Sequence, residues 1–544
     1  MLIVLAGTIQ ISLSLRGGLW FESQDALWYP VRIVEYAESI KGGAWFPRWA
    51  PDLRGGYGYP LFNFYPPGFI ALASHLMTAF GLTPIEALKI TLTGFTIAGA
   101  VGAYGLMLGE TSRPDAALVG AMAYAYLPYR FTDLYLRGEL SEYSVYAILP
   151  FVMWSFRALR RANTERRATI ATAAMVSSAA LWLLHPLVAL YSCGAILLVA
   201  VVDAMRARHD GGTVEFLAVS VAAMSLGVAA AAIYLIPALA ERGYVHLENL
   251  TRNYGPTRFL IGWSELLSPG FYSLGIQTVA GAMVSIVALS LPSRRDRAFS
   301  LLLWWIPACA IVAIMLRWAG PLWRALPLGG FILFPWRLLG LAGLLTSVGI
   351  AVAWTMLLTD DRPISKWLAA VTVALAIAWF EYPYTRATWL PELEVSTDPG
   401  EIAEHTYTTV IEDEYLPKGA EKCPPWPRYS LALIDNRTSS KVQSKQIDPL
   451  HYEFQVSIAS EKVVEIQLLD FPGWNVTTAA GPSEAQRLAP RRGLITLRLP
   501  TAGDYRILVG FGTTKIRALS SVLSIIALAL GCPILSWIDR RRIV

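Results

Sequence analysis

Cysteine is scarce in this sequence, with four in 544 residues. Cys193, Cys309 and Cys532 sit inside apolar stretches and Cys423 stands alone in a polar one, so neither a disulfide framework nor a CxxC metal site is on offer. Charge is scarce too. Only 16% of residues are charged, the net charge is +5, and the arginines fall in short clusters rather than along one face, which excludes a nucleic-acid-binding surface. A basic start is missing too: residues 1–15 lack one and are not followed by a small-residue cleavage site, so a retained, short first helix is expected rather than a removable signal peptide. Internal repeats and low-complexity tracts are missing as well.

What remains is apolar: 55% hydrophobic residues, 19 Trp, 24 Tyr and 33 Pro, with a mean hydropathy of +0.45. That is the composition of a polytopic α-helical membrane protein. Apolar spans occur near 1–16, 88–108, 116–130, 143–159, 168–184, 187–205, 215–237, 275–292, 299–316, 336–358, 366–382 and 516–537. Basic residues at Arg113, RRANTERR (160–167), Arg206 and Arg208, SRRDR (293–297), DDRPISK (360–366) and DRRR (539–542) alternate with them as cytoplasmic turns would. Twelve crossings with both termini cytoplasmic satisfy that alternation, provided that PPGFIALASHLMTAFG (66–81) is an interfacial or re-entrant helix on the outer side.

Three units follow: a multi-pass membrane domain over 1–384 with a long first outer loop (17–87), an extracytoplasmic domain over 385–512, and a final helix with a basic cytoplasmic tail over 513–544. The middle unit alternates apolar and polar residues in HYEFQVSIA (451–459), VVEIQLLDF (463–471), GLITLRL (493–499) and DYRILVGF (504–511). Period-two alternation between turns predicts an all-β sandwich.

Chemistry concentrates in the outer loops. LWFESQDALWYP (19–30) sets Glu22 and Asp25 at the water-to-lipid boundary of an unusually long loop. Glu22 suits a solvated residue or a dipole partner, whereas Asp25, followed by aromatics, is the candidate functional carboxylate. A helix is expected from Val31 onward, because Pro30 would break its first turns. The second outer loop, YRFTDLYLRGELSEY (129–143), packs Asp133, Arg137, Glu139 and Glu142 between two spans, where charges are costly unless paired or used. Two readings stand for it: an Arg137–Glu ion pair fixing helix ends, or Glu139 or Glu142 joining Asp25 around an acceptor hydroxyl or a metal. Arg242, Arg252, Arg258, Arg317, Arg324, Arg337, Lys515 and Arg517 run against the positive-inside trend and require anionic partners, either protein carboxylates or a lipid phosphate. Tyr59, Tyr65 and Trp336, with Trp28 and Tyr57, supply flat apolar faces to this outer region. A divalent cation is left open, because Asp25, Glu139 and Glu142 form an oxygen-ligand set only where the two loops meet. His75 and His185 read as structural.

Several stretches carry a resemblance: GGAWFPRWAPDLRGGYGYPLFNFYPPGFIALASHL (42–76), RGELSEY (137–143) and FPWRLLG (334–340). They resemble the bacterial and archaeal membrane proteins grouped as 6-pyruvoyl-tetrahydropterin-synthase-related, which in turn resemble GT-C fold glycosyltransferases. EYLP (414–417), FPGW (471–474) and TTKIR (513–517) are similar to the β-domain of YfhO-type membrane proteins. The resemblance implies a GT-C-like membrane domain that moves a sugar from a polyprenyl-phosphate donor to a glycan, lipid or protein acceptor at the outer face, among membrane lipids. The first-loop acid, Asp25 by position, is then the catalytic base, and the family's name implies no pterin chemistry. Relatives often carry a His a few residues after that Asp, where this chain has Trp28 and Tyr29, so a role for that His does not transfer. The alternative is a non-catalytic envelope protein whose β-domain binds glycan or a partner assembly, with residues such as Trp474 bearing the function.

Overall fold

The computed structural model describes residues 20–206, 213–253, 255–268, 272–291, 295–325, 333–358, 363–390, 413–420, 428, 430–435 and 441–540. The expected first helix over 1–16 lies outside them.

The first outer loop folds into helix α1 (Tyr29–Lys41) and helix α2 (Gly68–Phe80). Helix α1 starts two residues earlier than expected: Pro30 falls in the first helical turn, where its missing N–H has no partner to lose. Helix α2 occupies the stretch read as an interfacial helix, and its 13 residues are too few to cross a bilayer. It closes at Gly81 in the left-handed region (φ +63°).

The membrane domain continues through α3 (Pro84–Thr111), α4 (Pro114–Ala125), α5 (Leu140–Arg161), α6 (Thr164–Leu184), α7 (Pro186–Arg206), α8 (Thr213–Ala230), α9 (Ala232–Ala240), α10 (Ile276–Ser290), α11 (Arg295–Met315), α12 (Leu338–Leu357) and α13 (Pro363–Glu381), and α14 (Lys515–Arg540) closes the chain. Local sequence sets several starts. Thr83 and Glu86 form a reciprocal capping box ahead of α3, and Asn163 caps α6. Among the described residues, seven helical stretches are long and apolar enough to span, matching the spans near 88–108, 168–184, 187–205, 299–316, 336–358, 366–382 and 516–537. The pair α8 and α9, bent by 65°, has the length and composition of a broken span or a re-entrant loop. The stretches expected at 116–130 and 275–292 form the shorter helices α4 and α10, and 143–159 lies within the more charged α5. Helix α12 is the centre of the bundle, with 94% of its apolar window buried, whereas α13 and α14 turn most of their apolar surface outward.

The C-terminal unit holds two four-stranded antiparallel sheets. One has the order β4 (Val442–Asp448), β5 (His451–Ile458), β10 (Gly503–Phe511), β7 (Trp474–Ala480); the other runs β3 (Ala432–Ile434), β6 (Lys462–Leu469), β9 (Leu494–Leu499), β8 (Gln486–Arg487). Tyr452, Phe454 and Val456 of β5 and Tyr505, Ile507 and Val509 of β10 are buried on alternate positions, as a half-buried strand requires. A two-residue ladder, β1 (Trp20–Phe21) with β2 (Trp389–Leu390), ties the start of the first loop to the chain leaving α13.

The sandwich seats directly on the first loop. Trp49 is fully buried against Phe471, Trp474 and Phe511, with ring centroids 5.3–6.3 Å apart. The Leu469 N–H donates to the Tyr57 carbonyl at 3.0 Å. Beneath this contact Arg517, at the start of α14, donates to Glu241 at 2.9 and 3.0 Å, and Asn63 donates to the same carboxylate at 2.8 Å. Sandwich, first loop and last helix are thereby locked at one end of the bundle.

Candidate functional site

At the sandwich end, the first and second loops meet through backbone. Thr132–Arg137 forms a single π-helical stretch that stops at Gly138 (φ +70°). A Cβ on Gly138 would overlap the Ala26 amide nitrogen and the Ser23 hydroxyl, so glycine alone lets the two loops touch. The Asp25 N–H donates to the Arg137 carbonyl at 2.8 Å and the Gln24 N–H to the Leu136 carbonyl at 3.1 Å. Asp25 is half-buried, and its charge acts on the nearby Arg32, while Glu22 is exposed.

Two connected polar layers lie behind this contact. In the first, the hydroxyls of Tyr29 and Tyr65 each donate to Glu139 at 2.9 Å, and the Ser141 N–H donates to the Tyr29 oxygen at 3.0 Å. Arg32 stacks over Tyr65 at 4.2 Å and Tyr29 at 5.0 Å from the ring centroids. Burial, then the charge of Glu139, holds the Tyr29 hydroxyl well above its ordinary pKa; burial does the same for Tyr65, so both remain donors.

In the second layer Glu142, in the first turn of α5, accepts from Tyr129 at 2.7 Å and Arg137 at 2.9 Å, and Arg337 Nε lies 3.0 Å from it. Arg137 also pairs with Asp133. Burial first, and Glu142 second, push the Asp133 carboxyl well above the usual range. Arg337 arrives at the entry to the central helix α12; its Nη1 lies 3.4 Å from His185 Nε2, and its carbonyl accepts from Tyr191 at 3.1 Å and from Tyr146. Beside it Trp336 packs on Phe334, Phe259 and Tyr272, with centroids 4.7–5.4 Å away.

Asp25, Arg137, Glu139, Glu142, Arg337 and Tyr65 therefore belong to one contiguous region, and Trp336 adjoins it. Tyr59 stands elsewhere: it is buried under Arg54, and its hydroxyl accepts from the Tyr415 N–H at 3.0 Å, binding the linker to the sandwich. Arg258 is exposed in a short turn next to Phe259. Of the arginines expected to need anionic partners, Arg517 takes Glu241, Arg337 takes Glu142 and Arg317 takes Glu265 at 2.8 Å. Among the described residues no three His, Cys, Asp or Glu side chains converge as a metal set would need. Glu139 and Glu142 face hydroxyls and guanidinium groups instead. Trp474 is 2% exposed and faces the first loop, which leaves it no surface for a partner.

Sequence reasoning missed Tyr146, Tyr191 and Ser141. Tyr146 had a signal, lying one helical turn after Glu142 on the same face. Tyr191 had none, because its contact with Arg337 is long-range.

Residues 62–383 match the model of a family described as a 6-pyruvoyl-tetrahydropterin synthase related domain, a membrane protein. No curated protein sequence matches the chain. Among solved structures, the arabinofuranosyltransferase AftD from Mycobacteria aligns over 70% of this chain and 26% of its own, at 16% identity and a TM-score of 0.47. The Archaeoglobus fulgidus oligosaccharyltransferase in its apo form aligns over 79% of this chain and 62% of its own, at 14% identity and a TM-score of 0.42. The chain thus spans about a quarter of the first and under two thirds of the second.

Proposed function

The chain belongs to the 6-pyruvoyl-tetrahydropterin synthase related membrane proteins, and on that premise we propose that it is a membrane glycosyltransferase acting at the sandwich end, on the extracytoplasmic face. The donor is a sugar on a polyprenyl phosphate, whose tail remains in the bilayer. Asp25 takes the proton of an acceptor hydroxyl as that oxygen attacks the anomeric carbon. The new C–O bond forms opposite the breaking bond to phosphate, so the sugar inverts. The phosphate leaves with the bonding pair and requires positive charge rather than a proton, which Arg337 and Arg137 supply from fixed positions. Arg258, exposed beside Phe259, meets an approaching headgroup in this reading. The hydroxyls of Tyr29 and Tyr65 and the faces of Trp336 and Phe259 suit a sugar or prenyl contact.

One observation carries this reading: a half-exposed carboxylate hangs by its own backbone from Arg137, whose guanidinium shares Glu142 with Arg337. An acid and two cations from three distant stretches of chain are held in fixed relation before any ligand arrives. The test is Asp25→Asn, which keeps the backbone bond to Arg137. In proteoliposomes supplied with polyprenyl-phosphate sugars, transfer should fall by about 10²- to 10⁴-fold with folding intact. Full transfer by the folded variant would remove Asp25 from the mechanism.

A further inference from the structure

At the opposite end of the bundle two cavities share a wall. One, of about 540 Å³, lies among the ends of α3, α5, α7, α11 and α12; the other, of about 470 Å³, lies between α3, α5 and α6. Glu110, Arg157 and Arg161 line both.

Charge in this wall is unbalanced. Arg157 is buried, forks onto Glu110 at 2.8 and 2.7 Å, also reaches Asp203, and stacks over Trp304 at 5.4 Å. That single guanidinium already answers both carboxylates. Arg160 lies 2.9 Å from Asp203 with its side chain one third exposed, and Arg161 lies 3.3 Å from Glu110 with its side chain half exposed. Arg166 adds a fourth guanidinium at the rim. Among the described residues lining the two cavities, four arginines face two carboxylates, and Arg161 and Arg166 lie at the accessible edge.

The chambers also differ in lining. The larger is lined by Ser112, Ser300 and Thr355, while the smaller runs along Trp154, Ile170 and Gly109, whose carbonyl accepts from Arg161. A soluble anion would need only the first. Trp154 is 38% exposed on the surface of the bundle, where a membrane-interface tryptophan belongs. Helix α5, at about 1.5 Å per residue, sets this end roughly one hydrocarbon thickness from Glu142.

We propose that the paired cavities bind an anionic phospholipid of the leaflet opposite the sandwich. Arg160 and Arg161 take the phosphate, Arg157 holds the two carboxylates away from it, and the groove beside Trp154 takes an acyl chain. Basic clefts between membrane helices are suited to such headgroups, and this site does not depend on the transfer reaction.

The test places the full chain in phosphatidylcholine and titrates phosphatidylglycerol, following the unfolding midpoint and the lipid retained in native mass spectrometry. Phosphatidylglycerol should raise the midpoint and stay bound; Arg160→Ala with Arg161→Ala, at an unchanged midpoint in phosphatidylcholine, should bind it at least tenfold more weakly. If that pair lowers the midpoint in phosphatidylcholine alone, Arg161→Gln, at the more exposed position, serves instead, with at least a threefold loss. A second arm adds inorganic phosphate without phosphatidylglycerol and should leave the midpoint unmoved. Equal retention by the variants, no preference over phosphatidylcholine, or a full shift from phosphate alone would overturn the lipid site.

Discussion

At one end of α5, Glu142 is buried between Arg137, Arg337 and the Tyr129 hydroxyl; at the other, Arg157 is buried between Glu110 and Asp203 while Arg160 and Arg161 reach the rim. Both ends obey the helix dipole, with acid in the first turn and base in the last. They use charge differently. The sandwich end encloses its ions among tyrosines, so their geometry is fixed, and half-buried Asp25 lies at its margin. The far end fixes one arginine and leaves others half-solvated, an arrangement that can accept an anion without rebuilding its core. Fixed charge suits chemistry, and surplus charge at an edge suits binding.

The comparison breaks if the two buried centres prove equally tolerant. Glu142→Ala leaves Arg337 and Arg137 short of their shared carboxylate in a closed site, and should cost about 3–5 kcal/mol, read as a fall in the unfolding midpoint in micelles. Glu110→Ala leaves Arg157 with Asp203 and Arg161 partly in water, so a smaller loss of about 1–3 kcal/mol is expected. Equal losses would mean that the far end is as closed as the other.

Glycine sharpens the same contrast. Gly138→Ala forces a Cβ into the first loop at a positive φ and should cost about 1–3 kcal/mol, together with transfer activity, because the Asp25 bond to Arg137 is next to it. Gly109→Ala puts a Cβ at ordinary contact, 3.4 Å from Trp154, inside a helix. It should leave both the midpoint and transfer close to wild type. A mild Gly138→Ala phenotype would mean that the loops do not depend on this close approach.

Much of the frame was legible because its physics is local. Long apolar stretches gave seven spans, and the alternation in HYEFQVSI gave β5 its buried face. The bend between α8 and α9 and the shortness of α4 and α10 were not legible, since apolar composition says that a stretch is buried without saying how long it remains straight. Strand β6 also hides its period: Val464 through Leu469 are all buried, polar Glu465 and Gln467 included, because both faces of that strand are covered. At the site, Asp25, Arg137, Glu139, Glu142 and Arg337 stood out as charges at membrane edges. That Arg337 pairs with Glu142, or that Tyr59 serves the sandwich linker, depends on tertiary contacts that no local pattern encodes.

The smallest expected effect tests whether the sandwich end also governs the response to pH. Glu35, on α1, is fully buried and accepts the Asp52 N–H at 3.0 Å. Burial first, and the Asp52 carboxylate second, raise its pKa well above the usual carboxylate range. A raised pKa means that the folded chain holds this proton more tightly than the unfolded chain. The resulting stability is therefore complete below the unfolded value of about 4.3 and is lost as pH rises through the folded one. Glu35→Gln keeps an oxygen for the Asp52 N–H and removes the titration. Its unfolding midpoint should change less between pH 4 and neutrality than that of the wild type, by roughly the part of the slope that Glu35 contributes. Parallel midpoint-versus-pH curves for the two chains would show that Glu35 is ionised in its buried position, and that the pH response arises elsewhere.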